Sequence, residues 1–135
     1  MKNLLPKNVQ ESQEDNDMTF KDLYNMQIEN QSLLIDNDKY DGIHDISLPT
    51  DNITLSSYHI QQLVSEIGEV LAADKRWKNI RNDKYDRENK LEEIADCFIV
   101  LMNIAIFSGI DADEFETAIF DKLQIVNKRF KESIK

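Results

Sequence analysis

The sequence has little glycine, proline or cysteine. Its 135 residues include three glycines, two prolines and one cysteine, Cys97. Scarce glycine and proline favour helices over a turn-rich β fold. A single cysteine excludes a disulfide within the chain, and a free thiol in an apolar run is typical of a small buried hydrophobe. This pattern favours a reducing, cytoplasmic location.

The sequence also lacks a long apolar run. Its most apolar stretch, residues 94–107, is interrupted by Asp96 and Asn103, and it is shorter than the roughly 20 residues that span a bilayer. No apolar segment follows Met1 to Pro6, so we expect no secretory signal. We therefore predict a soluble protein that does not bind membranes.

Basic residues are too few to balance the acidic ones. Sixteen lysines and arginines stand against 26 aspartates and glutamates, which gives a net charge of −10. Binding of a nucleic-acid polymer needs basic patches that displace counterions, so this class of function is disfavoured. A small phosphate compound is still compatible, because metal ions bridge two negative partners.

The length fits one domain. Residues 1–17 are polar and aperiodic, which predicts a flexible N-terminal arm, and residues 18–135 form the predicted all-α domain. Apolar periodicity and capping residues predict four helices with a four-helix bundle-like core. They run over about 19–34, 56–79 and 88–108, and from 111 onward. Gly109 is placed to end the third helix in a left-handed conformation.

The third predicted helix is apolar around nearly its whole circumference. Its polar exceptions, Glu92, Asp96 and Asn103, fall in a narrow stripe, with Glu93 to one side. A helix of this kind is buried on nearly all sides, and a chain of this size has too few other residues to cover it. We therefore predict a homodimer or homotetramer. The alternative is that this helix is the centre of a single bundle.

Two acidic motifs dominate the functional argument. Glu66 and Glu69 are three residues apart on the second predicted helix, and Glu93 and Asp96 have the same spacing on the third. This spacing places each pair on one helix face. If the helices pack antiparallel, four carboxylates meet, repel one another and resist ionisation. A divalent cation bound between them relieves this repulsion.

The donor types narrow the metal. Neither motif contains the histidine of di-iron bundles, and carboxylate oxygens suit Mg²⁺ or Mn²⁺. A single Glu-x-x-Glu is usually a solvated helix face. Two motifs together are stronger evidence, because one of them lies on an apolar helix where buried polar groups need partners. The metal site is then as strong a hypothesis as the solvated helix face.

The runs Val64 to Val70 and Leu91 to Asp96 together resemble the MazG-like family of all-α nucleoside triphosphate pyrophosphohydrolases, which includes the dimeric dUTPases and dCTP pyrophosphatases. The resemblance covers about residues 58–130. It implies that a Mg²⁺-dependent enzyme cleaves a (d)NTP into (d)NMP and pyrophosphate. It also implies the metal ligands, which are Glu66, Glu69, Glu93 and Asp96, with Glu92 as a local alternative because it too can share a face with Asp96. Among them, Glu69 is the favoured general base.

Five further residues are candidates for substrate binding. Lys75 and Lys122 are candidates for phosphate contact, and Trp77 for stacking on the base. Asn103 and Asn127 are candidates for hydrogen bonds to sugar or base. The alternative for each is an ordinary structural role in surface ion pairing or packing. His44 and His59 have no partners at metal-ligand spacing, so no role is predicted for them.

Two other functions are compatible with the sequence. One is a non-catalytic acidic helical module that binds a protein partner through its apolar faces. The other, within enzymes, is a phosphoribosyl-ATP pyrophosphohydrolase of the same general helical architecture. Binding of Mg²⁺ or Mn²⁺ by the carboxylates distinguishes the enzymes from the module.

Overall fold

A computed structural model describes residues 17–78 and 84–134, which form four α-helices and no β-strand. They are α1 (Phe20–Asp36), α2 (Ile53–Ala73), α3 (Arg87–Ile106) and α4 (Ala112–Ile134). The prediction of an all-α fold is confirmed for this part of the chain. The predicted arm lies, except for Asp17, outside the described residues. Within them, no helix has the length and apolar character needed to cross a membrane.

Side-chain caps determine where the helices begin. Thr19 and Asp22 form a reciprocal capping box at α1, in which each side chain accepts a hydrogen bond from the other's backbone N–H. Asn52 caps α2 and Asp86 caps α3, each accepting a backbone hydrogen bond from the residue three positions later. The Asn52 cap starts α2 at Ile53, three residues before the predicted start, because it satisfies an otherwise free N–H.

The predicted end of α2 near residue 79 is wrong, because the helix stops at Ala73. Asp74 adopts an extended conformation and begins a short 3₁₀ turn, Lys75–Trp77. The Asp74 carboxylate accepts hydrogen bonds from Arg76 Nη2 at 2.7 Å and from Lys90 Nζ at 3.0 Å. These cations, Arg76 foremost, hold the pKa of Asp74 well below its usual value. The Lys90 pair attaches the C-terminus of α2 to the first turn of α3, and the Arg76 pair is local to the 3₁₀ turn.

The opposite ends of these helices are also joined, so α2 and α3 form an antiparallel hairpin. Asn52 N donates to Phe107 O at 2.8 Å, and Asp51 pairs with Ser108 in an isolated bridge. Gly109 has φ 77°, and a Cβ there would lie 3.3 Å from Asp51 N. The close approach and the positive φ both require glycine at this position.

The buried core lies at the end of the hairpin where Asn52 bonds to Phe107, and α1 and the following loop cover it there. One cluster centres on Tyr24, Met102 and Ile106 and extends to the start of α4. A second contains Ile35, Leu55 and Phe107 and is covered by the loop after α1. The other end of the hairpin, which carries the acidic motifs, is outside both clusters.

We expect Phe107→Ala to lower the free energy of unfolding by about 3–5 kcal/mol, the usual loss for a buried aromatic. Phe107 is fully buried, and its ring stacks on His59 at 5.3 Å. Urea titration followed by circular dichroism measures the change. Leu33→Ala is the control, since Leu33 is 55% exposed, and its loss should stay near 0.5 kcal/mol. Equal losses in the two variants would contradict this location of the core.

Candidate metal centre

The hairpin brings together three of the four predicted ligands. Glu66 and Glu69 come from α2 and Glu93 from α3, and one carboxylate oxygen from each lies within 4.8 Å of the other two. The three-residue spacing puts the α2 pair on one helix face, and the antiparallel pairing turns Glu93 toward it. Three acidic groups therefore converge between two helices that their ends hold together.

The fourth predicted ligand, Asp96, lies beside this cluster. It is exposed on α3 and is not one of the three whose oxygens converge. Its charge nevertheless acts on the cluster, since it contributes to the raised pKa of both Glu66 and Glu93. Glu92 is exposed and also lies outside the converging set.

The carboxylates of this cluster resist ionisation. Burial raises the pKa of Glu66, and the charges of Glu69 and Asp96 add to this effect. The pKa of Glu93 is raised mainly by a hydrogen bond with the Glu69 side chain. Burial and repulsion by the neighbouring carboxylates raise it further. Glu93 Oε2 is also buried without a hydrogen-bond partner among the described residues. An acceptor left in this way is costly, and a cation bound between the carboxylates removes that cost.

The donor set fits a hard divalent cation. All three groups offer carboxylate oxygens, which Mg²⁺, Mn²⁺ and Ca²⁺ prefer. Two oxygens on opposite sides of one Mg²⁺ are about 4.2 Å apart, since each bond is about 2.1 Å. The three oxygens lie within 4.8 Å of one another, slightly more than this maximum, so a single Mg²⁺ would bind all three after a small inward movement of the side chains. Three ligands leave positions for water or for phosphate oxygens.

Cys97 lies near the acidic cluster, since the charges of Glu66, Asp96, Glu93 and Glu69 act on its thiol. It is partly buried on α3, and burial, followed by the charges of the neighbouring carboxylates, raises the pKa of its thiol. A raised pKa keeps the sulfur protonated and unreactive. The thiol therefore acts as a small packing group beside the carboxylates.

A polar pocket of about 260 Å³ lies farther along the same hairpin. Its lining combines side chains of α1, α2 and α3 with the loop after α1. The lining residues are Gln31, Leu34, Lys39, Tyr40, Tyr58, His59, Gln62 and Asn103. Gln62 lies one turn before Glu66, and Asn103 lies two turns after Asp96, which is about 10 Å along the helix axis. The pocket and the carboxylates are thus neighbouring parts of one surface.

Hydrogen bonds hold Asn103 in a single orientation. Asn103 is 5% exposed, and its Oδ1 accepts from Gln27 Nε2 at 2.7 Å and from Gln31 Nε2 at 3.1 Å. The Tyr40 hydroxyl donates to Gln31 Oε1 at 2.6 Å. Because Oδ1 is occupied twice, Nδ2 is the Asn103 atom that is available to a ligand in the pocket.

His59 forms one wall of the pocket. It is 2% exposed, and its ring is stacked on Phe107 with an interplanar angle of 3°. Its Nε2 lies 3.1 Å from the Tyr40 hydroxyl and its Nδ1 lies 3.1 Å from Gln62 Oε1. Burial lowers the pKa of His59, which favours the neutral ring. A neutral ring carries one N–H, which donates from Nδ1 to Gln62 Oε1, so Nε2 accepts and shares the Tyr40 hydroxyl proton with Gln31 Oε1. His59 thus shapes the pocket and orients Gln62.

The sequence alone predicts no role for His59 and does not reveal this pocket. One signal was present, because Gln27 and Gln31 occupy positions on the apolar stripe of α1, where a polar side chain needs a buried partner. Their partner is Asn103, which is separated from them by more than 70 residues.

The other four predicted substrate residues lie apart from this pocket. Lys75 and Trp77 belong to the 3₁₀ turn after α2. Trp77 is 55% exposed, and its Nε1 donates to Leu71 O at 3.3 Å. Lys122 and Asn127 are exposed on α4, whose main helix contact is with α1. Their proposed substrate contacts therefore stay predictions.

Comparison of the chain with protein-family models, with curated proteins and with solved structures finds no match. The resemblance carried by the two acidic motifs consequently stays a prediction. The geometry of the carboxylates and of the pocket is what supports a function for this protein.

The raised pKa of Glu93 makes the metal-free protein sensitive to pH. A carboxylate with a folded-state pKa above its usual value of 4.5 binds its proton more tightly in the folded state than in the unfolded chain. Its contribution to stability therefore falls as pH rises from 4.5 through the raised pKa. We expect metal-free Glu93→Gln to be more stable than wild type at pH 7, with the difference shrinking toward pH 4.

Urea titration of chelator-treated protein at the two pH values measures this difference. Glu92→Gln is the matched control, since Glu92 is exposed, and it should leave stability nearly unchanged at both. A Glu93→Gln variant that is less stable than wild type at pH 7 would show that the carboxylates do not repel one another.

Proposed function

We propose that this protein is a Mg²⁺-dependent nucleoside triphosphate pyrophosphohydrolase that converts a (d)NTP into (d)NMP and pyrophosphate. The convergence of Glu66, Glu69 and Glu93, with a buried carboxylate oxygen that lacks a partner, is the observation that carries the proposal. The resemblance of the two acidic motifs to the MazG-like family supports it. So does the polar pocket nearby, because a nucleotide needs a separate site for its nucleoside part.

The converging carboxylates would hold the cation, with Asp96 contributing from the edge of the cluster. Mg²⁺ or, alternatively, Mn²⁺ suits this all-oxygen donor set. When bound, the cation neutralises charge on the triphosphate oxygens and lowers the pKa of bound water. A chain with a net charge of −10 needs such an ion to bind an anionic substrate.

Glu69 would act as the general base. It is the exposed member of the converging three, so a water molecule reaches it most easily. In the proposed reaction the water oxygen forms a bond to the α-phosphorus, and its proton passes to the Glu69 carboxylate. The bond from the α-phosphorus to the bridging oxygen breaks, and its electron pair leaves with pyrophosphate. Glu66 and Glu93 act as ligands.

The polar pocket would bind the nucleoside part. Asn103 Nδ2 is held ready to donate a hydrogen bond to a carbonyl group, and Gln62 lies beside it. Tyr58, which is 52% exposed at the pocket, offers an aromatic face for stacking on a base. Lys75 stays a candidate for phosphate contact, since it follows α2 shortly after Glu69.

Release of pyrophosphate from a panel of NTPs and dNTPs with Mg²⁺ tests the reaction. We expect Glu69→Gln to lower kcat by about 100-fold or more, the usual effect of losing a general base. Asp96→Asn should lower the affinity for Mg²⁺, so that more Mg²⁺ is needed for half-maximal activity. Glu92→Gln is the control and should keep full activity.

If folded, metal-loaded wild-type protein releases no pyrophosphate from any nucleotide in the panel, the proposal fails. The function then becomes the non-catalytic interaction module or hydrolysis of a narrower substrate such as phosphoribosyl-ATP. Binding of Mg²⁺, followed by calorimetry, separates those two.

A second experiment separates the pocket from the metal centre. We expect Gln62→Ala to lower kcat/KM for the preferred nucleotide about 10-fold, the effect of one lost hydrogen bond, without changing the affinity for Mg²⁺. Hydrolysis of inorganic tripolyphosphate, which has no nucleoside, should be unchanged. An equal loss with both substrates would show that Gln62 acts on the carboxylates and that the pocket does not hold the nucleoside.

A further inference from the structure

Lys90 and Glu93 lie on the same face of α3. Both are partly buried, whereas Leu91 and Glu92 between them are exposed. Residues three apart on a helix have Cβ atoms about 5–6 Å apart, which is within reach of a lysine–glutamate ion pair. The helix α2, against which this face packs, contains no lysine or arginine. Lys90 is therefore the basic side chain best placed to neutralise Glu93.

Lys90 nevertheless pairs with Asp74. Its Nζ donates to Asp74 Oδ2 at 3.0 Å, and no ion pair joins Lys90 to Glu93 among the described residues. Glu93 Oε2 is buried there without a hydrogen-bond partner. A buried acceptor is normally satisfied when a donor lies within reach. The contact with Asp74 thus leaves the Glu93 oxygen unpaired although a suitable donor lies one turn away.

The Asp74 carboxylate is held in a fixed orientation. Its side chain is 10% exposed, and three of its hydrogen bonds come from Arg76. The Arg76 backbone N and Nε donate to Oδ1 at 3.2 and 2.8 Å, and Nη2 donates to Oδ2 at 2.7 Å. The guanidinium in turn lies 3.5 Å above the ring of Tyr85. These bonds fix the rotation of the carboxylate, and Oδ2 keeps a second lone pair for Lys90.

We propose that Asp74 is a positioning residue of the metal centre, which holds the Lys90 ammonium away from Glu93 so that the Glu93 carboxylate is free for a divalent cation. This role rests on the metal centre of the proposed function. A lysine paired with Glu93 would occupy an oxygen that the cation needs and would repel the cation as well. Asp74 removes this competitor and neutralises its charge, so a lysine on the inward face of α3 does not block the site.

Calorimetric titration with Mg²⁺ tests the role of Asp74. Asp74→Asn removes the charge but keeps an oxygen that caps the 3₁₀ turn, so its helical circular dichroism should be retained. We expect this variant to bind Mg²⁺ about 10-fold more weakly, because the released Lys90 competes for Glu93. Adding Lys90→Met should restore the affinity to within about 2-fold of wild type. Lys90→Met alone should change it less than about 2-fold, because Asp74 already holds this lysine away.

Asp113→Asn is the matched control for the loss of one negative charge. Asp113 also pairs with a lysine, Lys21, at 3.4 Å, but it belongs to α4 and is not among the converging carboxylates, so this variant should keep the wild-type affinity for Mg²⁺. If charge alone mattered, Lys90→Met would strengthen binding equally with Asp74 present or replaced. That equal effect, or a loss in Asp74→Asn that Lys90→Met does not restore, would overturn the proposal.

A metal-free measurement examines the contact itself. In chelator-treated protein at pH 7, the shifts in urea midpoint caused by Lys90→Met and Glu93→Gln should add when Asp74 is present. In the Asp74→Asn background they should not add, because Lys90 then contacts Glu93. Additive shifts in both backgrounds would overturn the proposal. If Asp74→Asn loses its helical signal, Asp74→Ser, which also keeps a capping oxygen, replaces it.

The two experiments also separate this proposal from the proposed function. Wild type that binds no Mg²⁺ overturns the metal centre and, with it, the role of Asp74 in keeping that centre free. Wild type that binds Mg²⁺, with an affinity that Asp74→Asn does not lower, overturns the role of Asp74 alone.

Discussion

The rest of the structure depends on the antiparallel pairing of α2 with α3. Asp74, held by Arg76 and Lys90, closes one end of this hairpin. The hydrogen bond from Asn52 N to Phe107 O closes the other. Between these ends the carboxylates of α2 and α3 repel one another, which by itself would separate the helices. The attachments at the ends and the packing between α2 and α3, the most extensive of any helix pair among the described residues, hold the helices together against this repulsion. The convergence of the acidic groups follows from that pairing.

The buried core and the acidic cluster occupy different ends of this hairpin. The buried apolar clusters and the covering helix α1 lie at the end that holds the polar pocket. The acidic cluster lies beyond them, where Glu93 Oε2 has no partner among the described residues. A cation that binds there stabilises the folded state in proportion to its occupancy. The well-packed end therefore supplies the stability that an uncompensated acidic site lacks.

The two sides of the hairpin also differ in character because of simple helical periodicity. Side chains two positions apart on a helix point in nearly opposite directions. Val64 therefore faces away from Glu66, and Leu91 faces away from Glu93, which gives one acidic and one apolar side. The same two helices therefore present converging carboxylates on one side and exposed apolar side chains on the other. Neither surface has to compromise the other.

The sequence by itself determined what depends on neighbouring residues. Periodicity and caps such as Thr19 and Asp86 located three of the four helices closely, and the spacing of the acidic motifs identified three residues that converge. Tertiary structure decided the rest. It ended α2 at Ala73, because Asp74 binds Lys90, 16 residues away. It also built the polar pocket from Gln31 and Asn103, 72 residues apart. Such contacts depend on how helices pack, which no local pattern records.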